Sequence, residues 1–111
     1  DPKYFISSAD MMNRNIDYRV EVSVPVCDQD AKQQLQDVLD IQWCDNVKAR
    51  VLDAKQSNTY RQFKVNGLVR SQEMIHQYLS DGVLPTRIKH ARERLRRDLI
   101  KKAKERERKL A

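Results

Sequence analysis

The run from Thr86 to Leu110 contains neither Gly nor Pro, and it withdraws almost a quarter of the chain from core-building. Residues 86–111 hold 12 Lys/Arg against four Asp/Glu. Ile88, Ala91, Leu95, Leu99 and Ala103 recur at helical spacing as one narrow seam. The spacing predicts a single long helix from Thr86 to Leu110. Glu93 with Arg97, Asp98 with Lys102 and Glu105 with Lys109 stand at i,i+4 in the favourable order. Such a helix buries little; it docks on something, pairs with another helix, or frays. The remaining 85 residues carry 10 Lys/Arg and 12 Asp/Glu, so the whole basic excess of the +6 chain lies in the tail. A body of that size supports one small core.

Within the body, Tyr4 to Ile6 reads as a short strand running into the polar loop Ser7-Ser8-Ala9-Asp10. Tyr18 to Val26 reads as the clearest strand. Val20, Val22, Val24 and Val26 fall on one face, and Arg19, Glu21 and Ser23 on the other, with Pro25 marking an edge or an end. Asp28 or Asp30 caps the next helix, with Gln33 in a capping-box position after Asp30 and an apolar stripe of Leu35, Val38, Leu39 and Trp43. That helix ends near Cys44-Asp45-Asn46. A short strand follows from Lys48 to Leu52, then a turn at Gln56-Ser57-Asn58, an extended piece from Tyr60 to Val65 and a tight turn at Asn66-Gly67. Ser71 caps a helix that buries Ile75, Tyr78 and Leu79 and stops at Asp81-Gly82. The order of elements is that of an α+β fold.

Cys27 and Cys44 are too few for a disulfide framework and lack metal-ligand spacing, so they read as reduced, partly buried thiols. His76 and His90 have no nucleophile or carboxylate partner that spacing identifies. No apolar run approaches the ~20 residues that a membrane-crossing helix needs. The chain opens Asp1-Pro2-Lys3, and the expectation is a fragment without a secretory leader.

The stretch from Phe5 to Glu21 gathers groups suited to phosphate. Ser7 and Ser8 offer hydroxyls, Arg14 and Arg19 offer guanidinium forks that match phosphate oxygens, and Asn15 adds an amide. Glu21 offers a carboxylate able to orient a basic partner brought from elsewhere. On these residues alone a solvated strand face and a polar loop is the stronger reading.

The run SSADMMNRNIDYRVEV resembles the C-terminal signature of the long-chain-synthesising bacterial polyphosphate kinases. The similarity continues through Pro25 to Asp30, LDIQWCDNVKARVLD and VRSQEMIHQYL, covering about residues 3–79. The resemblance implies a reversible transfer of the terminal phosphate of ATP to polyphosphate, through a phosphohistidine and with Mg²⁺. It implies the C-terminal portion of a phospholipase-D-like α/β domain in residues 1–81, followed by a basic helical tail in residues 82–111. It implies that Arg19, Arg14, Ser8 and Asn15 contact phosphate or nucleotide and that Glu21 orients a catalytic histidine. Asp10 stands where the wider superfamily usually has Asn.

The phosphorylated histidine of the family lies upstream of these residues, and His76 and His90 do not match it. The isolated chain is therefore expected to be inactive, to hold no metal of its own, and to depend on the remainder of the enzyme for most contacts to Mg²⁺. The implied partners are ATP or ADP, polyphosphate, the rest of the kinase chain and further copies of the full-length enzyme, with no specific nucleic acid. The implied location is cytoplasmic, with peripheral membrane association left open. The rival reading is a non-catalytic module that binds nucleic acid or another polyanion with the tail helix. It lacks interleaved aromatics and any groove-reading motif. The two readings differ in where the important arginines lie: Arg14 and Arg19, or the tail.

Overall fold

The computed structural model describes residues 2–110. The chain divides into two compact units, Asp1–Gln36 and Asp37–Ala111. Among the described residues the elements are β1 (Phe5–Ser7), α1 (Asn13–Ile16), β2 (Ser23–Pro25), α2 (Gln29–Trp43), α3 (Ser71–Asp81) and α4 (Thr86–Leu110), an α+β arrangement.

In the first unit β1 pairs antiparallel with β2, Ile6 opposite Val24. Backbone bonds from Ser8 to Val22 and from Val26 to Tyr4 lengthen this ladder by one residue at each end. The longer strand expected over Tyr18 to Val26 is thus only three residues. β1 offers no partner beyond this ladder, and alternation without a partner does not make a sheet; Val20 is fully exposed. Asp28 caps α2, its Oδ1 accepting the Ala31 N–H at 2.8 Å. The Tyr4 hydroxyl donates to Gln36 at 2.6 Å.

The second unit has a core of Ile41, Cys44, Val69, Met74, Tyr78, Leu84, Ile88 and Ala91, with Val38, Phe63, Val65 and Ile75 packed against it. The first turns of α4 therefore dock through the top of the seam, Ile88 and Ala91. From Arg96 to Lys109 every residue is exposed, including Leu99. The buried stripe of α2 differs from the expected one: Ile41 is fully buried, whereas Leu39 and Trp43 are more than half exposed. On α3, Met74 joins Tyr78 in the core and Leu79 faces outward. Both helices rotate to the face that meets α4, which the spacing within one helix does not specify.

Two asparagine and aspartate side chains organise the long connection between α2 and α3. Asp45 Oδ1 accepts the N–H groups of Val47, Lys48 and Ala49 at 2.7–3.1 Å, and Oδ2 accepts that of Ser71 at 2.8 Å. Ser71 is consequently the first helical residue rather than the cap. Arg70 occupies the cap position without a side-chain bond, and Asp45 supplies the acceptor across 26 residues. Burial of Asp45 opposes ionisation, but the hydrogen bonds from Lys48, Ser71 and Val47 outweigh it and hold its carboxyl well below the usual range. Asn46 donates to the Gly67 and Phe63 carbonyls and accepts from the Val69 N–H. The expected strand over Lys48 to Leu52 is reduced to one bridge, Arg50 opposite Tyr60. Gly82 closes α3 in the left-handed region, φ 68°, its N–H donating to the Tyr78 carbonyl.

Arg92 ties α4 to α2. Its Nη1 lies 2.9 Å from Asp37 Oδ1 and 3.2 Å from Asp40 Oδ2, and the Tyr78 hydroxyl donates to Asp37 Oδ2 at 2.9 Å.

Candidate functional site

The polar side chains of the first unit converge on Glu21. The Ser8 hydroxyl donates to Glu21 Oε2 at 2.5 Å, and Asn15 Nδ2 donates to Glu21 Oε1 at 2.9 Å. Ser8 reaches that position because the ladder sets it beside Val22: its N–H donates to the Val22 carbonyl and its Oγ accepts the Val22 N–H at 3.1 Å. Asn15 reaches it from the single turn of α1 and is 3% exposed. The Ser8 bond first, then the Asn15 bond, holds the Glu21 carboxyl below its ordinary range, so the group is an anion at neutral pH.

The carboxylate also fixes which way the Asn15 amide faces, since its Nδ2 must point at the anion. Asn15 Oδ1 is then buried with no donor among the described residues. Ser7 makes a local turn, its Oγ accepting the Ala9 N–H at 3.1 Å.

Of the residues singled out by the sequence, the structure brings Ser8, Asn15 and Glu21 together. Arg14, the second residue of α1, and Arg19, before β2, are both exposed and carry no ion pair among the described residues. Arg19 and Glu21 precede β2 instead of sharing a strand face. The Ser8–Glu21 pair, 13 residues apart, was readable only from the register of the two strands. Cys27 is exposed, unlike the expected partly buried thiol; Cys44 is buried, which pushes its thiol up, with Asp40 adding to the effect. Among the described residues no group of three or more His, Cys, Asp or Glu is arranged to hold a metal ion, and no helix is long and apolar enough to cross a membrane.

The sequence profile of polyphosphate kinase C-terminal domain 2 matches residues 1–72. The chain belongs to the polyphosphate kinase family. It is 47% identical over 87 residues to the polyphosphate kinase of Vibrio cholerae, a match covering 78% of this chain and 12% of that protein. It is 46% identical over 79 residues to the polyphosphate kinase of Escherichia coli K12, covering 71% and 12%. The crystal structure of polyphosphate kinase from Porphyromonas gingivalis superposes with a TM-score of 0.65 at 40% identity, over 70% of this chain and 12% of that one. The chain thus spans about 12% of the length of the polyphosphate kinases it matches, and the family profile takes in the whole Ser8–Asn15–Glu21 cluster.

Proposed function

We propose that these residues are the C-terminal part of the last catalytic domain of a polyphosphate kinase that reversibly moves the terminal phosphate of ATP onto polyphosphate through a phosphohistidine outside this chain. In this reading residues 1–81 complete a phospholipase-D-like domain and residues 82–111 add a basic helix. The observation that carries it is Glu21, an anion fixed by two donors at 2.5 and 2.9 Å. Family membership supports the substrate class.

Glu21 is a positioning residue. A carboxylate held from two sides accepts the N–H of an incoming imidazole, which fixes the ring's tautomer and leaves its other nitrogen facing the phosphoryl group. Ser8 and Asn15 act one step further back: their donors keep Glu21 ionised and stop it from rotating. Arg14 and Arg19, unpaired among the described residues, supply the cations. Phosphoryl transfer rests on positioning and on fixed positive charge at the equatorial oxygens, which a guanidinium fork matches. Mg²⁺ neutralises phosphate charge when bound, and in this reading its ligands belong to other parts of the enzyme. The enzyme is cytoplasmic and assembles from several copies.

The test is steady-state kinetics in both directions on the full-length enzyme. Arg19→Ala is expected to lower kcat by about 100-fold or more, the size of effect that follows loss of one transition-state donor. Glu21→Gln is expected to lower kcat while leaving KM for polyphosphate near its original value. Unchanged turnover in the Arg19 variant overturns its role. ATP formation from ADP and polyphosphate by the 111-residue chain alone would show that the phosphohistidine is not elsewhere.

A further inference from the structure

A second cluster of basic groups lies in the other unit. Arg87, His90, Ala91 and Arg94 stand at i, i+3, i+4 and i+7 on α4 and share one helix face. Opposite them, Val65 and Asn66 complete a small hollow of about 110 Å³. A water's share of the liquid is about 30 Å³, so the hollow takes a few waters or one tetrahedral oxyanion. Ala91 and Val65 are its apolar lining.

Among the described residues no carboxylate lines the hollow. The side chains of Arg87, His90 and Asn66 make no hydrogen bond or ion pair among the described residues. Arg94 is braced: its Nη2 donates to the Lys64 carbonyl, and its guanidinium sits 5.8 Å from the centre of the Phe63 ring. Arg87 lies close against the bend at Gly67, where a β-carbon would stand 3.0 Å from Arg87 Nη1. Arg87 also borders a neighbouring hollow that contains Glu73, but that carboxylate is paired with Arg70 at 2.8 Å. Two guanidiniums with no anion between them repel each other. An oxyanion placed there accepts from both forks, from the Asn66 amide and from the His90 ring, and removes the repulsion.

We propose that the hollow between the Val65–Asn66 bend and α4 is a second oxyanion site that takes a phosphoryl group. The site stands on the geometry of Asn66, Arg87, His90 and Arg94. The choice of phosphoryl over other oxyanions rests on the function proposed above. Its source is either free orthophosphate or one unit of a polyphosphate chain passing along α4, and the hollow's chemistry is the same for both. It shares no residue with the Arg14, Arg19 and Glu21 region.

The test uses crystals of the full-length enzyme soaked at low ionic strength with tungstate, a tetrahedral phosphate analogue with strong anomalous scattering. The expected result is an anomalous peak within hydrogen-bond reach of at least two of Arg87, His90 and Arg94. Asn66→Asp, which places a carboxylate in the hollow without touching the core, is expected to abolish the peak. Arg87→Gln is expected to reduce tungstate affinity about tenfold or more, the loss that follows removal of one charge-assisted hydrogen bond. Arg19→Ala leaves the peak in place, so failure of the site and failure of the kinase reading are separate observations. Displacement by tripolyphosphate but not by equal phosphorus as orthophosphate assigns the polyphosphate source; equal displacement assigns free phosphate. A hollow without tungstate in the wild-type enzyme, or a peak that persists in folded Asn66→Asp, overturns the proposal.

Discussion

Replacing Asp45 by Asn tests whether one side chain starts α3 from a distance. The amide keeps an oxygen for the Val47, Lys48 and Ala49 N–H groups, but its NH₂ then faces the Ser71 N–H that Asp45 Oδ2 now accepts at 2.8 Å. The variant loses one hydrogen bond to a charged group, about 1.5–3 kcal/mol, at a position where a lost helix cap costs about 1 kcal/mol. Taking about 2 kcal/mol, local opening of the first turn of α3 becomes about 30-fold more frequent. Hydrogen exchange followed by mass spectrometry on the full-length enzyme reads this directly. Peptides covering Ser71 to Tyr78 should exchange about 30-fold faster, and peptides covering 46–50 should hardly change. Asp45→Ala removes both oxygens and should accelerate both segments. The pH dependence has a definite sign. The folded carboxyl is held below its unfolded value near 3.8, so its contribution is fully present above that value and is lost only as pH falls through the depressed folded value. The ratio of variant to wild-type exchange should therefore be flat between about pH 5 and 8. Unchanged exchange at Ser71 to Tyr78, or equal acceleration of both segments in Asp45→Asn, refutes the reasoning.

Arg92→Met leaves Asp37 and Asp40, whose side chains are only 10% and 14% exposed, without their shared cation. The expected loss is about 3 kcal/mol, the low end of the range for breaking a buried pair, because Arg92 itself is partly solvated; thermal unfolding measures it. Tyr78→Phe removes only the hydroxyl bond to Asp37 and should cost about 1 kcal/mol in the same assay. Gly82→Ala meets no atom within 4 Å but forces a β-carbon into φ +68°, so a loss of about 1–2 kcal/mol is expected, with Gly82→Asn milder. Ser8→Ala removes the larger of the two bonds that depress Glu21, so its carboxyl should rise toward its ordinary 4.5. The acid limb of kcat/KM should then move to higher pH, and a limb that stays in place argues against Glu21 as the ionised partner.

The periodic parts of this chain were legible. The limits of α4 follow from a long run free of Gly and Pro. The start of α2 follows from Asp28 and the end of α3 from Gly82, each a local device whose chemistry lies within four residues of the helix end it serves. The candidate site was legible only as residue types: Ser8, Arg14, Asn15, Arg19 and Glu21 are ones that suit phosphate chemistry. What they do to one another was not. Ser8 and Asn15 look like phosphate donors in a linear reading, yet in the fold both donate to Glu21, because the β1–β2 register and one turn of α1 carry them there. The alternation over Tyr18 to Val26 predicted a longer strand than β1 pairs with, and a strand's length is a property of both partners.

The second unit shows why its polar residues escaped notice. Its apolar core is small, and the long-range contacts that set its shape are made by Asp37, Asp45 and Asn46 to groups 17 to 55 residues away. Hydrophobic periodicity carries no trace of such pairs, since a buried aspartate and a solvated one look alike in a sequence. The same blindness covers Asn66, Arg87, His90 and Arg94. Read along the chain they are a bend residue and three members of a charged helix; only the docking of Ile88 and Ala91 turns that helix face toward the bend. Basic residues on the free part of α4 remain fully solvated and interact weakly with any anion. Those facing the Val65–Asn66 bend are exposed too, but the Arg94 fork is held in place there and stands with Arg87 around one hollow, so two charges act on a single oxyanion. If the hollow fills, the difference between the two halves of α4 is one of surroundings and not of composition.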